Sequence, residues 1–233
     1  MIETGGISSQ VLIRYEKRMT TSVSSVNAAL ARNIELNWTS QPQDMIKIHL
    51  RNWRLSIEDL NYRFNETIFR EGANHIFQAR GQKNNDLEFL MNFIRPELRA
   101  YSARHAVLVE DFLRRRIQAE LNKGLTPAEI RQNIVSILLT NNYAERIAKT
   151  EAHTALERGA WQAADSLGVR VTKEWISRED SLVRRPHAVA HGQIREINQD
   201  FSVGGERLLF PGDPRASARN RVHCRCTVNY RLG

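Results

Sequence analysis

Apolar side chains recur at steps of three, four or seven through the first half of the chain, the spacing that puts them on one face of a helix. Leu12, Met19, Val23, Val26, Leu30, Ile34 and Trp38 mark a first helix over residues 10–38. The segment from Thr39 to Gln43 breaks it, and Pro42 suits the first position of a second helix. That helix carries Ile46, Leu50, Trp53, Ile57, Leu60, Phe64 and Ile68 and runs to about Arg80, before Gly81. Its length would be roughly 55 Å at 1.5 Å per residue. A heptad-like run this short predicts packing in an antiparallel bundle. The stripe through Trp53, Leu60 and Phe64 is read as the surface on which an assembly partner docks. Asn84, Asn85 and Asp86 suit the start of a third helix bearing Leu87, Leu90, Met91 and Ile94. Pro96 is expected to kink or restart it, because proline lacks the amide and crowds the preceding turn. The continuation carries Leu98, Val107, Leu108, Phe112 and Ile117 and ends near Gly124.

Past Gly124 the local signals sharpen. Thr126, Pro127 and Glu129 form a capping box: the threonine caps, proline takes the first helical position, and the glutamate reaches back to the Thr126 amide. Ile130, Ile134 and Ile137 give this helix a buried face. A longer helix follows from about Tyr143 to Leu167, closed by Gly168. Its stripe of Ala144, Ala148, Ala152, Leu156, Ala160 and Ala163 is small enough for a neighbouring backbone to approach closely. The period then changes from helical to two-residue alternation. Val169–Ser177 predicts a strand with Val169, Val171 and Trp175 on one face. Gln193–Ile197 and Glu206–Phe210 predict two more. Cys224–Tyr230 predicts a fourth with Cys224, Cys226, Val228 and Tyr230 inward. The pattern implies an α+β protein: an elongated, mainly helical region over 1–124, then a compact domain over 125–233 with two helices and a small antiparallel sheet.

The chain of 233 residues has a net charge of +8 and an isoelectric point near 9.9, a balance that favours association with anionic partners and says nothing of fold. Arg178, Arg184, Arg185, Arg215, Arg219 and Arg221 crowd the predicted loops of the last third, where phosphate contacts form without reading sequence. Arg184, Arg185, Arg219 and Arg221 are the candidate DNA contacts. Arg114, Arg115 and Arg116 read first as a solvated helix face and second as a contact for phosphate or an acidic partner. Two cysteines in a chain this long do not suit a disulfide-stapled secreted protein. The first residues lack the basic start and apolar core of a signal peptide, and no apolar run nears the ~18 residues of a membrane span. A soluble protein made in a reducing cytosol is the expectation.

Both cysteines and three of the six prolines lie between Trp175 and Tyr230. His187 and His191 have helical metal-ligand spacing, and Cys224 and Cys226 would supply two sulfurs. The competing reading is a buried latch in which the thiols pack as small apolar groups beside His187. A disulfide between them is not expected, since strand residues two apart sit roughly 6.5 to 7 Å from each other at ~3.3 Å rise. No cofactor is required, and zinc on His187, Cys224 and Cys226 is the one candidate. Glu151, Trp175, Asp180, Cys224 and Cys226 are read as structural, Glu151 receiving an arginine or backbone amides from the C-terminal region. The chain carries no His-Glu-x-x-His motif, no phosphate-cradling loop after Gly204 and Gly205, and no base positioned for a cysteine nucleophile. A non-enzymatic role follows, with a metal-dependent nuclease or other hydrolase on the His/Cys site as the alternative.

The order of these signals resembles the Mu F-like family of phage head morphogenesis proteins. The matching residues are Lys149, Thr150 and Glu151, then Trp175, Asp180, Ser181, Arg184, His187 and Gly192, the stretch Phe201–Pro214, and Cys224 through Val228. The likeness covers roughly 125–230. His191 stands where that family usually has Asp, and His223 where it often has Asn. The resemblance implies a minor head protein that accompanies the portal, meets capsid or scaffold proteins and phage DNA, and touches no membrane. Its place would be the virion head, and the host cytoplasm during assembly.

Overall fold

The computed structural model describes residues 2–7, 9–39, 42–82 and 84–233. The element order is β1 (Ile2–Glu3), α1 (Ser9–Leu36), α2 (Pro42–Ala79), α3 (Asn84–Leu121), α4 (Pro127–Leu139), α5 (Asn141–Ser166), β2 (Val171–Ile176), α6 (Arg185–Ala190), β3 (Ile194–Glu196), β4 (Phe201–Val203), β5 (Glu206–Leu208), α7 (Ala218–Arg221) and β6 (Thr227–Leu232). This is the expected α+β class: long N-terminal helices, then a small antiparallel sheet. No helix among the described residues is long and apolar enough to cross a membrane.

The chain folds as two compact units that do not coincide with a division at Gly124. One comprises residues up to Glu16, Phe64–Arg95 and Lys149–Gly233; the other comprises Lys17–Arg63 and Pro96–Ala148.

In the second unit Met19, Val23, Leu30, Ile34, Ile46, Leu50, Trp53 and Ile57 are buried, so Trp53 belongs to the core and not to a docking face. The interior also takes polar groups that an apolar stripe does not reveal. The Trp53 indole donates to Asn27 Oδ1 at 2.9 Å, and Asn61 meets His105 at 2.9 Å. Asn61 is fully buried while Leu60 beside it is half-exposed. Pro96 does not restart α3, which is assigned as one helix through it. Val107 and Leu108 point outward; the buried face runs through Leu98, Tyr101, Ala106, Val109, Leu113 and Ile117. The cap expected at Asn84 and Asn85 falls on side chains outside the described set. The capping box of α4 is present, with Thr126 accepting from the Glu129 amide and Glu129 accepting from the Thr126 amide. The buried face of α4 is Ile130, Ile134 and Leu138, with Ile137 only half-covered. Arg114 is engaged by Glu110 and Asp111 on its own helix, and Arg116 lies over the Phe112 ring.

In the first unit the alanine stripe of α5 is buried from Ala152 to Ala163. A Cβ on Gly159 would fall 2.1 Å from the Phe69 carbonyl oxygen of α2, and one on Gly72 would fall 2.0 Å from the Leu156 carbonyl oxygen. The backbones of α2 and α5 touch at these two glycines. Tyr15, Ile68, Ala152, Ala155 and Leu156 form one cluster of this core. The sheet runs β1-β6-β2-β3, all antiparallel, with Val171 opposite Leu232 and Trp175 opposite Val228. The pairing of β1 with β6 has no signal in the sequence. β4 and β5 form a separate hairpin in which Val203 pairs Glu206 across Gly204 and Gly205. Both glycines have positive φ, as a two-residue turn of the hairpin type requires. Val169 precedes β2 and is partly exposed; the inward residues are Val171, Lys173 and Trp175.

Candidate functional site

The site lies in the first unit, where α6, α7, β2 and the start of β6 meet α5. β6 begins at Thr227, later than the strand expected from Cys224, yet the alternation extends through the segment that leads into it: Cys224, Cys226, Val228 and Tyr230 are all buried. Both thiols are free. Pro186 is the second residue of α6 and His187 follows it, turned into the protein. Its Nδ1 lies 3.6 Å from Cys224 Sγ and 3.4 Å from Cys226 Sγ. The three ligand-capable atoms lie within 4.8 Å of one another. The hydrogen bond between the two thiols raises Cys224 from the ordinary thiol range, with burial adding to it, and lowers Cys226 against the opposing effect of burial. The other ring nitrogen of His187, Nε2, is buried without a nitrogen or oxygen partner, and the ring stands edge-to-face with Trp175 at 5.8 Å. Trp175 is in turn edge-to-face with Phe201 at 5.3 Å.

His191 does not join this group. It closes α6, and its Nδ1 accepts the Ser177 amide at 3.0 Å. His153, which drew no attention in the sequence, stands on the other side of the cysteine segment. Its Nε2 donates to the Cys226 carbonyl at 2.7 Å, and burial lowers its pKa to about 4, so the ring is neutral. Glu157, one turn on, is buried beside Thr227 and Val228; burial raises its pKa to about 8.

Around this centre the charged groups close on one another. Glu151 is fully buried and receives Arg221. Asp180 is gripped by both terminal nitrogens of Arg225, at 2.8 and 2.6 Å, and accepts the Leu182 amide at 3.0 Å. The Arg225 contact holds its carboxyl below the usual range. Asp213 fixes the Pro211–Pro214 loop: it accepts the amides of Leu209 and Arg215 at 2.8 and 2.9 Å and pairs with the Arg215 guanidinium at 2.7 Å. Gly212 packs so tightly on α5 that a Cβ would meet His153 Nδ1 at 2.8 Å. Thr154 donates to its carbonyl at 2.9 Å. Lys173, wholly buried on β2, donates to the Leu209 carbonyl at 2.7 Å and lies over the Phe201 ring; burial lowers its pKa to about 7.

Of the four arginines expected to meet DNA, two turn inward: Arg221 binds Glu151, and Arg184 donates to the Val222 carbonyl. Arg185 and Arg219 are exposed. Lys173 and Asp213 were legible only as an interruption of an apolar face and as a loop acid, so their burial had no signal in the pattern.

The arrangement is a set of ion pairs and short loops pinned to one helix, in the same order as the motifs that began the comparison. The model of the family described as phage Mu protein F like protein matches residues 111–229. The chain belongs to this family. Membership supports a role for this Mu F-like chain in phage head morphogenesis and a place among phage head components. A curated relative is the NAD(+)--arginine ADP-ribosyltransferase EFV of Enterococcus faecalis (strain ATCC 700802 / V583), 29% identical over 88 residues. The match takes in 36% of the Mu F-like chain and only 18% of that protein. No solved structure matches.

Proposed function

We propose that this Mu F-like chain is a minor, portal-associated component of a phage head that acts without turning over a substrate. The observation that supports this reading is the engagement of its charged motif residues with one another. Glu151, Asp180 and Asp213 are each occupied by an arginine of the same unit. Groups so paired build a rigid presenting surface; a nuclease would need an acid or base left open beside a substrate. The cavity beside His187 and the cysteines is about 20 Å³, room for about one water.

Partner contact is assigned to the long helices, on which Phe89 and Phe93 of α3 stand 80% and 70% exposed, one turn apart. DNA contact is assigned to Arg185 and Arg219, without base reading. The test is capture of the full chain by purified portal oligomer, with capsid and scaffold proteins in parallel. Retention on the portal, lost in Phe89→Asp with Phe93→Asp, is the expected result. Failure of the unmodified chain to bind any of the three would overturn the assembly reading. Divalent-dependent cleavage of DNA by the purified chain would overturn the non-enzymatic one. DNA affinity should fall steeply between ~50 and ~200 mM salt, with a shallower slope after Arg185→Ala with Arg219→Ala.

A further inference from the structure

We infer that His187, Cys224 and Cys226 bind a zinc ion that ties α6 to the start of β6. In a tetrahedral zinc site with Zn–S of about 2.3 Å and Zn–N of about 2.0–2.1 Å, a sulfur and a nitrogen ligand sit about 3.5–3.6 Å apart. His187 Nδ1 lies 3.4 Å from one sulfur and 3.6 Å from the other. Both nitrogen–sulfur separations thus match edges of a zinc tetrahedron, and all three donor atoms lie within 4.8 Å of one another.

The site's charge is equally suited to burial. Zinc displaces both thiol protons, and the dication with two thiolates and a neutral imidazole carries no net charge. All three ligands are buried, and a charged centre there would be costly. Beside the three ligands lies the small cavity that Leu182, Val183, Arg184 and His223 also line, with room for about one water as a fourth ligand. On the other side His153 holds the Cys226 carbonyl and so fixes the backbone of one ligand. The role is structural: α6 is only 6 residues long, and the ion would anchor it to the strand that pairs with both β1 and β2.

Elemental analysis of the full chain, reduced, equilibrated with zinc and freed of loose metal, should give about one zinc per chain with copper and iron at background. Zinc uptake by the metal-free chain should release about two protons per ion, and cobalt in its place should show thiolate-to-metal absorption. His187→Ala should lose the ion, whereas His191→Ala, which alters the ligand-spaced histidine outside the cluster, should keep it. A folded chain that takes up no zinc, that prefers another metal, or that retains full stoichiometry after His187→Ala would overturn the assignment. Should His187→Ala not fold, the proton count and cobalt spectrum of the unmodified chain decide: no thiolate band means no site.

Discussion

The carboxylate of Glu151 on α5 is buried completely and is met by the guanidinium of Arg221, 70 residues further along the chain. This pair joins the middle of the α5 stripe to α7, the four-residue helix that leads into the cysteines. Neither member has water to fall back on, since their side chains are 0% and 15% exposed. Removing one partner strands the other charge in the interior. Glu151→Ala should therefore destabilise by about 3–5 kcal/mol, and Arg221→Ala by a similar amount. The double substitution should cost clearly less than the sum of the two. Urea unfolding of the four proteins measures the coupling; strict additivity would show that the pair carries none.

Glycine in the middle of an exposed helix is ordinarily a weakness, and alanine there improves stability by about 1 kcal/mol. At Gly159 and Gly72 the sign reverses. The new Cβ would lie 2.1 Å from the Phe69 carbonyl oxygen in one case and 2.0 Å from that of Leu156 in the other. Neither neighbour is a flexible side chain. Gly159→Ala and Gly72→Ala should each cost about 1–3 kcal/mol or more as α2 and α5 are forced apart. A thermal midpoint that rises in either variant would refute the contact.

Lys173 gives the fold a pH dependence of definite direction. Its folded pKa is lowered to about 7 by burial, whereas the unfolded side chain titrates near 10.4. Between these values the unfolded chain holds a proton that the folded chain has released, so the contribution of Lys173 to stability increases as pH rises. The slope approaches about 1.4 kcal/mol per pH unit at most. Below pH 7 both states are protonated, and the full cost of a buried ammonium is present. Lys173→Met should thus gain most over the unmodified chain below about pH 7 and lose that advantage steadily towards about pH 10. A difference between the two that does not change with pH would mean that Lys173 stays charged throughout.

A fragment beginning at Leu125 should not fold cooperatively. It lacks Tyr15 and Ile68, which share a core cluster with Ala152, Ala155 and Leu156. It also lacks β1 and the whole of Phe64–Arg95, which belong to the same compact unit as Lys149–Gly233. The alanine stripe would be left open to solvent. Near-ultraviolet circular dichroism and a thermal melt of residues 125–233 check this; a sharp transition would restore Gly124 as a true boundary.

Local and periodic signals were legible in the sequence. The Thr126 cap, the α5 stripe, the inward cysteines and the α+β class follow from spacing that physics allows few ways to satisfy. Three things were hidden. Asn61 and Lys173 occupy apolar positions because a partner far away in sequence satisfies them, and hydropathy cannot register that partner. Arg184 and Arg221 sit in segments that read as loops, where charge is expected to face solvent, yet a part-buried carbonyl and a buried carboxylate draw them in. The unit boundary was hidden because residues 64–95 are helical on both sides of it, and continuity of a helix says nothing of which core each half joins. His187, Cys224 and Cys226 were each visible, but their convergence depends on α6 folding back across β2.

β6 lies between β1 and β2 in the sheet, with Ile2 paired to Leu232. During synthesis β1 and β2 emerge without the strand that separates them, and no hydrogen bond joins them directly. The sheet cannot close until residues 227–232 have left the ribosome, so His153 and Glu157 of α5 must wait without the segment they pack against. Contacts of such long sequence separation form late and slowly. A chain halted just short of Thr227 would expose apolar surface it has no means to bury, and it would become a substrate for chaperones or a seed for aggregation. The last strand of the sheet is thus the one on which its closure depends.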